Sequence, residues 1–346
     1  MPEAPTMQTI ATRAGVSLMT VSRALKNHPS IPPVTCARIR KIADELGYRP
    51  NPLVSALMAQ LRSARMSKSA PTLAFLTNHA EEIFERWSFL GELYKGAADR
   101  AAALGYKLER FSLAESGMTP ARMRGMLRAR GIPGVILDPL PLHAPELEFD
   151  WSGFACASIG YSYKSVSLHR AVNDHFHAVS LAVESLTARG YQRIGMAIRH
   201  EDNDHSENRL AGGFMSFFPL LPTVRRIPVF FWSDDHEEGF AEWFREWEPD
   251  VVLTLHPIVR DWMRGMGLRA PADVGLASLN LQSNHAWYSG INQNNLLIGS
   301  TAVELVIEQI HHNEHGVPRE PKTVMTRGYW VDGTTARKAK VRKRAR

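Results

Sequence analysis

The chain has little cysteine: Cys36 and Cys156 are the only two in 346 residues. Two unlinked thiols exclude a disulfide framework and suit a reducing compartment. No apolar run approaches the roughly 20 residues that span a bilayer. Residues 1–5 lack a basic stretch followed by an apolar one, so no secretion signal is read there. A cytoplasmic protein with no membrane partner is the expectation. Catalytic signatures are missing as well. There is no GxSxG, Walker A loop, HExxH or paired CxxC, so neither an enzyme nor a cofactor is expected. His311, His312 and His315 read as solvated residues at a polar helix end, and 234–238 as a charged loop, so no metal site is expected. Acid is scarce at both ends. Residues 1–70 hold ten Lys/Arg against three Asp/Glu, and the last ten hold seven basic residues and no acid. With +6 over the whole chain, the stretch between them carries −8. A basic head on an acidic body is the footprint of a nucleic-acid-binding protein. The basic C-terminus reads as a solvated extension.

Length allows two or three domains, and 44% hydrophobic with 22% charged residues is ordinary globular composition. The most informative stretch is 14–23, AGVSLMTVSR. Gly15 permits the positive φ of a tight turn, and Ser17 is a helix N-cap. Val21 and Leu25 fall four apart and face a small core. Leu18, Met19, Ser22 and Arg23 project outward. A short helix presenting polar and basic groups just after a turn suits the major groove of DNA. Flanking it, a first helix starts near Thr6, with Met7, Ile10 and Ala14 inward. A third helix spans 33–46, with Ile39, Ile42 and Leu46 inward and Gly47 as its stop.

This head resembles the lactose-repressor (LacI/GalR) family of bacterial transcription regulators. The family's AGVSxxTVSR stands unbroken at 14–23, and its ELGYxPN signature recurs at 45–51. The resemblance implies phosphate contacts from Thr6, Ser17, Thr20, Ser22, Tyr48 and Asn51, which set register without reading sequence. It implies base reading by Leu18, Met19 and Arg23; an arginine fork bridges guanine O6 and N7, and apolar side chains pack on thymine methyls. Thr9, Pro32 and Cys36 stand where the family has Asp, Ser and Arg, removing one or two phosphate contacts. Residues 52–62 correspond to the family's hinge helix, with Leu57 at the position whose side chain wedges into a minor-groove base step. A basic linker completes 50–70.

From residue 71 the pattern alternates. Strands are expected at 72–77, 107–113, 134–137, 155–159, 193–198, 229–232, 251–255 and 274–277, with helices at 92–104 and 178–186. Aromatic clusters at 214–218 and 243–247 read as core. Such interleaving implies parallel sheets covered on both faces. The resemblance implies the architecture: an all-α helix-turn-helix head plus an α/β bilobal body like a periplasmic binding protein, with two doubly wound parallel-sheet lobes. The expected divisions are a 1–49 DNA-binding domain, a 50–70 hinge, a 71–332 effector-binding and dimerisation domain, and a 333–346 disordered basic tail. Ligands of such folds sit at the carboxyl ends of strands, here between the lobes. By resemblance, Arg209 grips ligand oxygens and Asp174 occupies another cleft position. His256 and Asn280 stand where the family carries an Asn-Asp pair and a sugar-binding Asp. Asn both donates and accepts, whereas the carboxylate only accepts, so a simple monosaccharide is not carried over. His79, Phe84 and Trp87 follow the first strand as further cleft candidates, and Trp287 is another stacking candidate.

The function these features imply is a homodimeric regulator, a repressor that binds a pseudo-palindromic operator in double-stranded DNA under control of a small, carbohydrate-like effector. Two alternatives remain. A solute-binding protein predicts an export signal and no DNA head, the reverse of what is seen. An architectural DNA-binding dimer predicts no ligand response. No leucine heptad run near the C-terminus points to a zipper-type tetramer.

Overall fold

Reciprocal hydrogen bonds between Thr6 and Thr9 open the first helix. Thr9 N–H donates to Thr6 Oγ1 at 3.2 Å, and Thr6 N–H to Thr9 Oγ1 at 3.3 Å. The computed structural model describes residues 6–25, 28, 30–48, 70–80, 88–141, 144–220, 222–233, 236–281 and 287–338. Helix α1 (Met7–Ala14) stops at Gly15, whose φ of +66° lets the chain turn sharply. Helix α2 (Leu18–Leu25) follows, then α3 (Pro33–Glu45), which starts on a proline that already has helical φ. Ile10, Ala11, Ala14, Val21, Ala24, Cys36, Ile39 and Ala43 form the buried core of the three helices. Met7, Leu25, Ile42 and Leu46, expected inside, are partly buried at its rim.

Among the described residues the body contains two six-stranded sheets. In the first lobe, β1 (Thr72–Thr77), α4 (Ser88–Ala103), β2 (Lys107–Ser112), α5 (Pro120–Ala129), β3 (Gly134–Leu137), β4 (Ala155–Ile159) and β5 (His169–Asn173) follow in order. The chain then enters the second lobe through α6 (His175–Ala188), β6 (Ile194–Arg199), α7 (His200–His205), α8 (Arg209–Met215), β7 (Phe230–Trp232), α9 (Glu237–Trp247), β8 (Val251–Thr254), α10 (Ile258–Gly265), β9 (Gly275–Ser278) and β10 (Ser289–Asn292). It returns to the first lobe for α11 (Asn295–His312) and β11 (Thr323–Thr326), then crosses again to β12 (Tyr329–Val331). The strand orders are β2-β1-β3-β4-β5-β11 and β7-β6-β8-β9-β10-β12. All pairings are parallel except β10 with β12. The runs GVIL, ACASI and VVLT are buried at every position, as a sheet covered on both faces requires.

The crossing segments are tied together. Asn173 Nδ2 donates to the Gln293 carbonyl at 3.3 Å, and the Asp174 N–H to the Thr326 carbonyl at 2.9 Å. In each sheet the order reverses between two strands, β1 and β3 in one and β6 and β8 in the other. Their carboxyl ends are where an open α/β sheet takes a ligand.

Two expectations are corrected. The helix expected at 178–186 begins at His175, because the Asp174 side chain accepts from His177 N–H and caps it three residues earlier. The body also continues past 332. Thr335 and Ala336 are buried, Thr335 Oγ1 donates to the Leu276 carbonyl, and Arg337 lies over the Tyr191 ring. Backbone that can pair with β9 and β10 is held there, so the first residues assigned to a disordered tail are part of the second lobe. The aromatic clusters pack as expected: Phe214 and Trp243 are buried in the second lobe's cores.

Candidate functional site

Six of the head's DNA candidates, Ser17, Leu18, Met19, Thr20, Ser22 and Arg23, lie on α2 or cap it. Ser17 Oγ accepts from Thr20 N–H at 3.1 Å and lies 2.9 Å from Thr20 Oγ1, so α2 begins with a satisfied cap. Loss of such a cap costs about 1 kcal/mol. Leu18 and Met19 are 46% and 62% exposed at the start of this helix. Adjacent apolar side chains left in water at the start of a helix are available to pack on a partner surface. Arg23 is exposed on the last turn, Ser22 and Thr20 are half-buried beside it, and Tyr48 packs against the head core. Thr6 is engaged in the α1 cap. Thr9 supplies the reciprocal half of that cap, so the hydroxyl fills a structural role at the position where the family has Asp. Cys36 is 7% exposed and faces the core, while Pro32 precedes α3 with no side-chain cap bond. Asn51 and Leu57 lie outside the described residues, as does the hinge expected at 52–62.

In the second lobe, Arg199 ends β6, and Thr254 and Ser278 end β8 and β9. Around these strand ends, Thr254, His256, Pro257, Ser278, Asn280 and Tyr288 line a pocket. His256 Nε2 lies 2.5 Å from Asp202 Oδ2, and Arg199 Nε is 3.0 Å from both. Burial raises the Asp202 pKa, but the hydrogen bonds and charges of His256 and Arg199 outweigh it and hold the carboxyl ionised below its ordinary range. Asn280 Oδ1 is buried with no hydrogen-bond partner among the described residues. An unmet buried acceptor is costly unless something polar comes to it.

In the first lobe, Thr77 Oγ1 donates to Asp138 Oδ2 at 2.5 Å, between the carboxyl ends of β1 and β3. Complete burial pushes the Asp138 pKa up to about 8, against the opposing effect of the Thr77 bond. His79 is buried beside it and donates from Nε2 to the Pro139 carbonyl at 2.9 Å. It therefore supports the strand ends from within. Phe84 and Trp87 lie outside the described residues.

The third cluster bridges the lobes. Tyr161, just past β4, has the guanidinium of Arg209 over its ring at 4.8 Å and that of Arg170 at 5.5 Å. Glu207 accepts from both arginines, from Arg170 Nη1 on Oε1 and Arg209 Nη2 on Oε2, each at 2.8 Å. His175 lies 5.9 Å from Tyr161 ring to ring, and burial together with the charge of Arg209 lowers its pKa to about 4. Lys164 and Asp204 form a second ion pair between the lobes.

The structure thus puts His256 and Asn280 in one pocket and Arg209 in the inter-lobe cluster. Asp174, expected in the cleft, has its carboxylate on the α6 cap. Trp287 packs under Arg260, at 4.0 Å, and against Tyr288. Sequence reasoning missed Arg170, Glu207, Tyr161, Arg199, Asp202 and Asp138. A systematic look one or two residues beyond each strand would have found Tyr161 and Asp138. It would have reached Arg199 as well, since the strand expected to end at 198 ends on it.

Residues 6–51 match the family described as bacterial regulatory proteins, lacI family, and residues 183–330 match a periplasmic binding protein-like domain. The chain is 22% identical over 327 residues to the HTH-type transcriptional regulator CelR of Thermobifida fusca, over 88% of this chain and 92% of that one. Among solved structures it is similar to a CelR–cellobiose complex, with TM-score 0.56 at 17% identity over 96% of this chain and 99% of that one. It is likewise similar to the lac repressor dimer bound to operator and the anti-inducer ONPF, with TM-score 0.54 at 17% identity over 97% and 100%. At these identities the structural likeness establishes the fold. No helix among the described residues is long and apolar enough to cross a membrane.

Proposed function

From the match of residues 6–51 to the lacI family of bacterial regulatory proteins, we propose that this chain is a member of that family, a homodimeric, cytoplasmic repressor whose operator affinity is set by a small polyhydroxylated effector held between the two lobes. One observation carries the reading. The capped α2 leaves Leu18, Met19 and Arg23 exposed to solvent, on a head followed in the chain by two lobes whose sheets each reverse strand order once. Arg23 reads guanine, and Leu18 and Met19 pack on thymine methyls. Ser17, Thr20, Ser22, Tyr48 and Asn51 hold the phosphates, and Leu57 opens the central step.

The effector acts by differential affinity. A ligand that binds one lobe arrangement better shifts the population toward it, and in a dimer that changes the spacing of the two hinge segments and heads. Arg209, His256 and Asn280 contact the ligand. The solved CelR relative holds cellobiose, and the mixture of donors and acceptors around Asn280 supports a ligand rich in hydroxyls here.

The test is selection of bound fragments from the source genome by the purified full-length protein at physiological salt. A compact two-fold-symmetric site supports the regulator reading, and the genes beside it narrow the effector. Recovery of fragments sharing no motif, with binding that vanishes as salt rises, overturns it in favour of an architectural DNA-binding dimer.

A further inference from the structure

Two arginines, one from each lobe, meet on a single carboxylate at the junction of the lobes. Arg170 Nη1 and Arg209 Nη2 each meet one oxygen of Glu207. Beside them, Arg209 Nε and Tyr161 Oη are buried with no partner among the described residues. The surplus is of donors, and donors in surplus call for an acceptor-rich, anionic group. The fork is also open to a ligand, since the side chains of Glu207 and Arg209 are 38% and 39% exposed while that of Arg170 is 18% exposed.

Glu207 is poorly suited to stay there. It sits at φ +52° and is followed by Asn208 at φ +61°, two consecutive left-handed residues without a glycine. Such backbone is unfavourable for a residue with a Cβ and persists only where the surroundings hold it. Here the surroundings are the two guanidinium groups on the Glu207 side chain and, on the backbone, the bonds from Glu207 N–H to the Asp204 carbonyl and from Asn208 N–H to the Asn203 carbonyl. Glu207 thus fills, with a carboxylate of its own, the place between the two guanidinium groups that an external carboxylate could take. Elsewhere in the second lobe, position 280 carries an amide where the resemblance leads one to expect a carboxylate, and Asp202 is already engaged by Arg199 and His256. Positions 202 and 280 therefore offer no free carboxylate to sugar hydroxyls, while an arginine from each lobe stands at the junction.

Resting on the effector reading above, we propose that the effector is a carboxylate-bearing sugar derivative, a uronate or aldonate, whose carboxylate displaces Glu207 from between Arg170 and Arg209 and accepts the free donors of Arg209 Nε and Tyr161 Oη. Arg170 belongs to the first lobe, and Glu207 and Arg209 to the second. Exchange of the carboxylates keeps the two arginines bridged and frees the turn that leads into α8. Binding is thereby connected to how the lobes are joined.

The test uses the full-length protein and thermal unfolding. In Glu207→Gly the fork loses its internal anion. Acetate should then raise the unfolding midpoint saturably, and acetamide at equal concentration should not. Adding Arg170→Gln should abolish the acetate effect. Glu207→Gln, which keeps the side chain's size, is the second variant should the glycine variant fold poorly. On the wild-type chain, D-glucuronate, D-galacturonate and D-gluconate are compared with glucose and galactose. At least one acid should bind tenfold or more tighter than its neutral parent, and tighter still to the Glu207 variants. Absence of an acetate effect in both variants, or neutral sugars binding as tightly as the acids, overturns the proposal. Neutral sugars binding alone would do so while leaving an effector site in place. Acetate filling the fork in a protein that selects no common DNA motif would retain the anion site and remove the regulator reading.

Discussion

A Cβ built on Gly299 would lie 2.0 Å from the carbonyl oxygen of Leu93. The two residues face each other across the crossing of α11 and α4, and Gly96 repeats the relationship against the Leu296 carbonyl, also at 2.0 Å. These glycines let two helix backbones approach over the first-lobe sheet. Since α11 enters from the second lobe, the crossing also anchors one of the segments that join the lobes. Gly299→Ala should destabilise the first lobe by about 1–3 kcal/mol through overpacking, or more if the helices cannot part. Chemical denaturation checks this, and a variant of unchanged stability would mean the crossing can widen freely.

Arg23→Ala should weaken operator binding by about 1–3 kcal/mol and relax base preference at one position of each half-site. Competition binding against operators varied at single positions measures both effects. An equal loss on every sequence would make Arg23 a phosphate contact.

Replacing Leu57 by glycine should reduce both operator affinity and DNA bending, because the wedge that unstacks a base step is removed. Circular-permutation gel mobility reports the bend. An unchanged bend would show that Leu57 does not enter the groove.

Asp138 gives a pH signature of its own. Its carboxyl titrates near 8 in the folded protein because it is fully buried, and near its ordinary value of about 4 when unfolded. The folded state thus binds the extra proton across that window, so its contribution to stability is full below about pH 4 and is lost as pH rises toward 8. Asp138→Asn, which can still accept from Thr77, should flatten this fall, by at most about 1.4 kcal/mol per pH unit. His175, lowered to about 4 by burial and Arg209, acts in the opposite sense. Its contribution is present above about pH 6.5 and lost as pH falls through the window down to 4. Urea denaturation of wild type and variant at pH 5 and pH 8 separates the two, and parallel behaviour of both proteins would remove Asp138 as the source.

Much of the molecule is local in origin and could be read in order along the chain. The short runs TLAFLT, GVIL and ACASI form the buried strands expected of them, and Gly15 and Ser17 punctuate the head by their own chemistry. The outward set Leu18, Met19 and Arg23 followed from helical spacing alone. His79 was chosen by its place after a strand and Asp174 by resemblance, yet a backbone carbonyl and a helix cap engage them. Sequence position does not show which neighbour a polar side chain will find first.

By itself, then, the sequence determined the helix-turn-helix head, the alternation of strands and helices in the body and the separation of charge between head and body, because each depends on neighbours a few residues apart or on composition; the two-lobed arrangement came from the family resemblance. Tertiary structure decided the inter-lobe site. Arg170 and Glu207 are 37 residues apart and meet only because the chain leaves the first lobe after β5 and turns back over the junction before α8. The pairing of a β5 side chain with a left-handed turn in the other lobe is a consequence of topology, and local periodicity carries no trace of it.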